Sequence, residues 1–216
     1  MRITISKENY LKAIAEAESE GETVKPVTLT RWLRVSAPAV TMAIRRLQRD
    51  RLIRQSADGR IVLTPAGRKI SNRLLHRHHL IERMLTEIFG LEWYKVHDEA
   101  EQLEHAVSAD FERKLVEKLG TGRACPHGNQ VELDSPSARR RRGLKPLEEA
   151  RPCERLTVAS VFERDRTLLE FLDRVGIRPG VRIEVKAIRP RIELRAGGRP
   201  VRIELAMAAK VWVRKV

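Results

Sequence analysis

The chain has 216 residues and a formal net charge of +14 at pH 7, which favours an anionic partner such as nucleic acid. Aromatic residues make up only 4% of it, and its two cysteines, Cys125 and Cys153, form no CxxC pair, so single-strand binding by base stacking, a zinc finger and a disulfide framework are all disfavoured. We find no signal peptide and no apolar run of membrane length, and therefore expect a cytoplasmic protein with no membrane partner.

The first 64 residues predict a winged helix-turn-helix. Residues 7–20 have apolar side chains at helical spacing, with Ser6 as the expected N-cap and Gly21 as the expected stop. A short segment, VTLTRWLRVS, precedes a second amphipathic helix in SAPAVTMAIRRLQRDRLI. The Asp58-Gly59 pair then lies between two short apolar runs and predicts a hairpin, the wing.

The second helix of such a unit enters the major groove of DNA, where its first residues reach base edges. The expected base-facing residues are Ser36, Pro38, Ala39, Thr41 and Met42, and the expected phosphate contacts are Arg45, Arg46, Arg49 and Arg60. The alternative is a winged helix that contacts proteins, with these arginines merely solvated.

The rest of the chain predicts a helical domain, a linker and a small β domain, so that the fold class is mainly α with a small β domain. A long helix is expected over 65–89, followed by helices at about 93–96, 97–108 and 109–119. We place a helical domain at 65–122, a linker rich in Gly, Pro, Ser and Arg at 123–153, and a barrel-like β domain at 154–216 that contains one helix near 165–175. Arg139 to Arg142 are expected to be solvated in the linker, and Cys125 and His127 to form a turn that enters it rather than a metal or redox site.

Potential metal ligands lie on one face of two of these helices. The segment KVHDEAEQLEHAVS places His97, Glu101, Glu104 and His105 within one stripe, and His78 and Glu82 lie one turn apart upstream. Imidazoles and carboxylates together suit Mn, Fe or Zn ions. The alternatives are a solvated charged helix and a metal-dependent hydrolase, although no HExxH or comparable motif supports an enzyme.

The chain resembles the diphtheria toxin repressor family, which includes iron-dependent repressors and manganese transport regulators. The resemblance rests on ENYLKAI, the SAPAVTMAIRRLQRDRLI helix, LTPAGRKI, RHHLIERMLTEIFGL, KVHDEAEQLEHAVS and CPHGNQV. It implies a metal-dependent transcriptional repressor that binds a palindromic double-stranded operator as a homodimer, controls metal uptake or homeostasis genes, and has no small organic substrate. A metal-independent winged-helix regulator stays open as an alternative.

The resemblance also implies two metal sites. The primary site would use Asn9, Glu101, Glu104 and His105, and the ancillary site His78, Glu82 and His97. Residues 65–122 would form the metal-binding and dimerisation domain, and residues 154–216 an SH3-like (FeoA-like) barrel. That domain donates a ligand to the ancillary site in some members of the family, and Glu163 and Asp165 are the nearest candidates here.

Three residues depart from one or other branch of the family and bear on the metal. Glu101 matches the manganese branch, whereas the iron branch has a cysteine there, and a carboxylate favours Mn²⁺. Asn9 matches neither branch, and Lys12 stands where manganese-type members have a second carboxylate. We therefore expect Mn²⁺, or Fe²⁺, as the cofactor.

Overall fold

The computed structural model describes residues 3–121, 124–130 and 133–216. The chain divides into two compact units, one of Met1–His78 with Val131–Pro136 and the other of His79–Gln130 with Ser137–Val216. Within the described part of the chain, every helix is too short or too polar to cross a lipid bilayer. The observed elements are mainly helical with a small β domain, as predicted.

The first unit contains the predicted winged helix. Its helices are α1 (Ile5–Ser19), α2 (Pro26–Leu33) and α3 (Ala37–Arg49), and the wing is formed by β1 (Ile53–Gln55) and β2 (Ile61–Leu63). The two strands pair antiparallel, and Gly59 adopts a φ of +82° in the turn between them, a conformation that favours glycine. Leu11, Ile14, Leu29 and Leu47 are fully buried among the helices.

Helix α4 (Pro65–Arg83) begins in the first unit and ends in the second. A π-helical turn, Met84–Ile88, follows it, and α5 (Val96–Leu103) and α6 (Ala109–Leu119) complete the helical part of the second unit. Leu80, Ile81, Val96 and Ala100 pack together there. The helices that position the candidate ligands are thus the end of α4 and the start of α5.

The remaining helices are α7 (Pro136–Arg141), α8 (Arg166–Arg174) and α9 (Leu205–Ala208). The strands are β3 (Leu144–Pro146), β4 (Arg155–Val161), β5 (Arg182–Ala187), β6 (Ile192–Ala196), β7 (Arg199–Ile203) and β8 (Val211–Lys215). They form one antiparallel sheet in the order β3-β8-β4-β5-β6-β7, with β3 and β7 as its edges. Trp93, which precedes α5, is buried in the core of this sheet domain.

Several local expectations differ from the structure. Thr4, not Ser6, caps α1, because the Thr4 hydroxyl accepts a hydrogen bond from Lys7 N. The helix expected over 65–89 changes to π-helical geometry at Met84, and the helix expected over 97–108 ends at Leu103. The segment 123–153 contains α7, β3 and the short 3-10 helix Leu147–Glu149. Arg139 is buried, with its guanidinium 4.9 Å from the centroid of the Trp212 ring, so the expectation that it is solvated is wrong.

Candidate metal centre

Helix α4 supplies the first two polar groups of the centre. His79 and Glu82 are three residues apart in its last turns, so they share one face of the helix, and both are buried. His79 Nε2 lies 3.8 Å from Glu163 Oε1. Because an isolated buried carboxylate is costly, a group such as Glu82 requires compensating polar neighbours.

His97, the second residue of α5, lies against Glu82. Its Nδ1 atom is 3.3 Å from Glu82 Oε1 and 3.9 Å from Glu163 Oε1, and its Nε2 atom is 3.5 Å from Glu101 Oε1. Burial alone lowers the pKa of His97, but the hydrogen bonds to Glu101 and Glu82 and the charge of Glu163 outweigh that effect and raise the pKa to about 10. The carboxylates therefore favour a positive charge at this position.

Glu163 enters the centre from the sheet domain, two residues after the end of β4. Its Oε2 atom accepts hydrogen bonds from Asn129 Nδ2 at 2.6 Å and from Cys125 Sγ at 3.5 Å. Burial and the nearby Glu82 raise the pKa of Glu163, but the hydrogen bond from His79 and the charges of His79 and His97 hold it well below its ordinary value. The carboxylate of Glu163 is therefore ionised at neutral pH.

The sequence Cys-Pro-His-Gly-Asn forms a tight loop that brings three more side chains to the same place. Gly128 N donates to Cys125 O at 2.8 Å, and Cys125 N donates to Asn129 O at 3.0 Å. Gly128 has a φ of +84°, and a Cβ atom there would lie 2.1 Å from Ala159 O. Only glycine suits both the backbone conformation and this close approach.

The orientation of His127 is fixed by a backbone group. Its Nε2 atom lies 2.8 Å from the carbonyl oxygen of Trp93 and donates to it, which leaves Nδ1 as the basic nitrogen of the neutral ring. Nδ1 lies 3.3 Å from Glu82 Oε1 and 3.6 Å from Glu163 Oε2. An imidazole that donates one N–H to a carbonyl and turns its other nitrogen towards carboxylates has the arrangement of a metal ligand.

Four of these side chains converge closely enough to share one ion. His79, Glu82, Cys125 and Glu163 each offer a ligand atom, and all of these atoms lie within 4.8 Å of one another. Burial and the charges of Glu82 and Glu163 raise the pKa of the Cys125 thiol well above its ordinary value, so in the absence of a cation the sulfur is protonated. Two carboxylates, an imidazole and a thiol form a donor set that suits a divalent transition metal.

Comparison with known proteins identifies the family. The family model of the iron dependent repressor N-terminal DNA binding domain matches residues 2–59, that of the iron dependent repressor metal binding and dimerisation domain matches 64–132, and that of the FeoA domain matches 145–215. The diphtheria toxin repressor of Corynebacterium glutamicum is 31% identical over 218 aligned positions, which cover 97% of this chain and 96% of that protein. The chain belongs to the diphtheria toxin repressor family. It is therefore a transcriptional repressor with DNA-binding, metal-binding and dimerisation domains, and not an enzyme, as predicted.

Other relatives agree with this assignment. The diphtheria toxin repressor of Corynebacterium efficiens is 32% identical, with 97% of this chain and 95% of that protein covered. A solved structure described as a manganese-dependent transcriptional repressor in complex with manganese is 29% identical and has a TM-score of 0.87, with 97% of this chain and 100% of that chain covered. The FeoA match confirms the SH3-like assignment of the C-terminal domain, although its strand order is that of an open sheet rather than a closed barrel.

The residues expected at the primary site of this repressor family are less compact than the centre. His105 Nε2 lies 3.5 Å from Glu104 Oε1. Glu101 Oε1 instead accepts a hydrogen bond from Arg164 Nη1 at 2.7 Å. Among residues 3–121, 124–130 and 133–216, the set Glu101, Glu104 and His105 does not bring three ligand atoms within 4.8 Å of one another, so this site stays a prediction.

Two further predicted ligands, Asn9 and His78, belong to the first unit. Lys12, the residue that departs from the manganese branch, is buried, and its Nζ lies 2.9 Å from His78 Nδ1. The ammonium donates to that nitrogen, so Nδ1 of His78 is already engaged as an acceptor. Asn9 lies in α1 three residues before Lys12, and its role as a ligand stays a prediction.

The resemblance offered two acidic residues of the C-terminal domain as metal donors, and the structure gives them different surroundings. Glu163 faces the centre, whereas Asp165 caps α8 by accepting a hydrogen bond from Leu168 N at 3.0 Å and pairs with Lys210 at 2.7 Å. Sequence reasoning missed His79, which is adjacent to the expected His78, and it also missed Cys125 and His127. Cys125 and His127 do form a turn, but their side chains are buried beside Glu82 and Glu163, and the Cys-x-His spacing before a glycine was the available signal.

The predicted DNA-contacting residues all lie at the surface of the winged helix. Ser36 caps α3 by accepting from Ala39 N, and the Thr41 hydroxyl donates to Ala37 O at 3.0 Å. Met42 is 49% exposed. The exposed residues of this set are Ser36, Pro38, Ala39, Thr41, Met42, Arg45, Arg46, Arg49 and Arg60. Their contact with DNA stays a prediction.

Proposed function

We propose that this protein is a cytoplasmic repressor that binds a palindromic operator as a homodimer when loaded with Mn²⁺ or Fe²⁺, and that it controls metal uptake or homeostasis genes. The observation that carries the proposal is the buried centre of His79, Glu82, Cys125 and Glu163 in a chain of the diphtheria toxin repressor family. The manganese-bound repressor of similar fold supports Mn²⁺, and the iron dependent repressor models support Fe²⁺.

We propose that the centre of His79, Glu82, Cys125 and Glu163, with His127 as a further ligand, binds the metal at the ancillary site. A divalent cation bound there supplies positive charge that offsets two buried carboxylates and lowers the pKa of the thiol. Neighbouring groups position the ligands: the Trp93 backbone carbonyl orients His127, and the Asn129 side chain holds Glu163 in place. His97 adds a further imidazole, which must lose its proton to become a ligand.

Metal-dependent operator binding requires that the metal bind one conformational state of the protein more tightly than the other, because a ligand shifts an equilibrium only by its differential affinity for the two states. We propose that the primary set of Asn9, Glu101, Glu104 and His105 supplies this preference. In that set, Glu101 is the carboxylate that matches the manganese branch. Its ion pair with Arg164 compensates its negative charge before the metal binds. His78 stays a proposed ligand of the ancillary site.

In the test, metal-free protein is titrated anaerobically with Mn²⁺, Fe²⁺ and Zn²⁺, and binding to the promoter of a metal-uptake gene is followed by fluorescence anisotropy. We expect Mn²⁺ or Fe²⁺ to induce tight binding, and Glu104→Ala or His105→Ala to abolish the induction without loss of helical content. Operator binding that no metal changes would favour a metal-independent winged-helix regulator. Wild-type induction in both variants at limiting Mn²⁺ would refute the primary set.

We further propose that the base-facing residues at the start of α3 read the operator, while Arg45, Arg46, Arg49 and Arg60 contact phosphates. These arginines are exposed, as phosphate-binding side chains must be. Replacing Arg45 and Arg46 by Gln is expected to weaken binding to all duplexes and to reduce the salt dependence, whereas Thr41→Ala is expected to alter preference among operator sequences.

A further inference from the structure

The positive charge of the chain is concentrated outside the winged helix. Residues 1–64 contain 12 Lys and Arg and 7 Asp and Glu, a net charge of +5. Residues 137–216 contain 21 Lys and Arg and 10 Asp and Glu, a net charge of +11. The C-terminal part of the chain therefore carries most of the net charge, although its family model names neither DNA nor any other anion as its partner.

Much of this charge lies on one face of the six-stranded sheet. Alternate residues of β4 to β7 are buried, among them Leu156, Ile183, Leu194 and Val201, so the residues between them point outward. The charged outward side chains of β4 to β8 are Arg155, Arg182, Glu184, Lys186, Glu193, Arg195, Arg202 and Arg214. We call this set the basic sheet face.

The strand register aligns these side chains in rows across the sheet. Thr157 is opposite Arg182 on one side and Arg214 on the other, so two guanidinium groups flank a hydroxyl. In the next row, Glu184 is opposite both Arg155 and Arg195. Neighbouring strands are about 4.8 Å apart, so side chains in a row can contact the same extended anion.

The two glutamates of the basic sheet face do not neutralise it. Glu184 pairs with Lys186 at 2.6 Å, and Glu193 pairs with Arg202 at 2.9 Å. Over the described part of the chain, no carboxylate oxygen lies within 4.0 Å of a side-chain nitrogen of Arg155, Arg182, Arg195 or Arg214. Four exposed guanidinium groups therefore remain available to an external anion.

We propose that the basic sheet face binds the phosphate backbone of double-stranded DNA, as a second DNA contact besides the winged helix. Charge complementarity favours DNA because duplex DNA carries about one negative charge per 1.7 Å of its axis, and guanidinium groups bind phosphate in a bidentate manner. The outward positions of β4 to β7 carry no aromatic side chain on which an unpaired base could stack and no large apolar side chain of the kind that inserts into a membrane interface, and Trp212, two residues before Arg214 in β8, is buried with Arg139 over its ring.

This inference rests on the proposed function, because it takes double-stranded DNA as the ligand. It concerns a different surface of the protein, however, and can fail separately. A contact to phosphates carries no sequence information, so it adds affinity for every duplex. Each neutralised phosphate adds about 0.9 to the slope of log affinity against log salt concentration. The salt slope measured on a duplex without an operator therefore reports the number of such contacts.

The test uses the full chain with three substitutions on the basic sheet face, Arg182→Gln, Arg195→Gln and Arg214→Gln. The matched control removes three exposed cations from α6, through Arg113→Gln, Lys114→Gln and Lys118→Gln. Binding to a 30-base-pair duplex without an operator is measured by fluorescence anisotropy from 50 to 300 mM NaCl, with and without Mn²⁺. Circular dichroism and thermal melting verify that both variants fold like the wild type.

We expect the sheet-face variant to bind about 10- to 100-fold more weakly at 150 mM NaCl and to lose about 2 to 3 from the salt slope, since three phosphate contacts are removed. The α6 control should retain the wild-type slope. An equal loss in both variants would mean that only net charge matters and would overturn the proposal, as would an unchanged slope in the sheet-face variant.

Two further outcomes keep the proposals apart. If the wild type binds duplexes but does not prefer the operator, the proposed function fails while the slope still tests the basic sheet face. If the wild type binds no duplex at all, both fail. Vesicles containing phosphatidylserine are the last probe: vesicle binding that the three substitutions abolish, with the DNA slope unchanged, would assign the face to a membrane and overturn the proposal.

Discussion

The imidazole of His127 faces the carboxylate of Glu82, with Nδ1 3.3 Å from Oε1, although the two residues lie on different elements, a loop and the end of α4. The opposite ring nitrogen donates to the Trp93 carbonyl. The ring therefore cannot rotate away without losing a buried hydrogen bond, and the lone pair of Nδ1 is directed at the centre.

Glu163 and Asp165 give a matched pair of variants. We expect Glu163→Gln to reduce metal affinity at least about 10-fold, because a charged donor is replaced by a neutral amide. Asp165→Ala should leave metal affinity unchanged and lower the free energy of unfolding by about 0.5–2 kcal/mol, the usual effect of losing an N-cap. Isothermal titration calorimetry with Mn²⁺ and urea unfolding measure both quantities. Equal metal affinities in the two variants would contradict the position of Glu163 in the centre.

Cys125→Ser tests whether sulfur takes part in binding. A thiolate favours softer ions, so the substitution should lower Zn²⁺ affinity more than Mn²⁺ affinity. Competition with a chromophoric chelator measures both ions on the same samples. Cys153→Ser is the control, since Cys153 is exposed, whereas Cys125 is buried and contacts Glu163. An unchanged ratio of Zn²⁺ to Mn²⁺ affinity in Cys125→Ser would remove sulfur from the donor set.

Gly128→Ala should disrupt the loop that holds Cys125 and His127. The added Cβ atom would lie 2.1 Å from Ala159 O, and the φ of +84° disfavours any L side chain. We expect a loss of roughly 1–3 kcal/mol in the free energy of unfolding together with weaker metal binding. Gly59→Ala has a similar φ of +82° but no atom within 4 Å of the added Cβ, so it should affect stability less and leave metal affinity intact.

The stability of the metal-free protein should fall as pH rises, because of His97. Its pKa is raised from 6.5 to about 10 in the folded state, so its charged form stabilises the fold. This contribution is fully present below pH 6.5 and is lost as pH rises through 10. In EDTA, the free energy of unfolding should decline by up to about 1.4 kcal/mol per pH unit within that window, and His97→Gln should flatten the decline. A wild-type profile that rises between pH 7 and 9 would contradict this assignment.

The sequence predicted the winged helix well and the metal centre only in part. Periodicity located α1 and α3, and the Asp58-Gly59 pair located the wing, because each signal is local. The centre depends on contacts between distant parts of the chain: Glu82, His127 and Glu163 meet only after the loop closes against β4. No helical or strand periodicity marks His127 or Cys125, since both lie in a turn. The resemblance did offer Glu163, but it could not separate Glu163 from Asp165.

The fluorescence of Trp93 should depend on whether the centre holds a metal ion. Its indole ring lies 5.6 Å from the imidazole of His127, and its Nε1 atom donates to Asp173 at 2.6 Å. A fluorophore is thus built in beside the ligands, and a paramagnetic ion such as Mn²⁺ held by His127 would quench its emission. In a chain with Trp32→Phe and Trp212→Phe, this one emission band would report loading of the centre directly, without any label and without DNA.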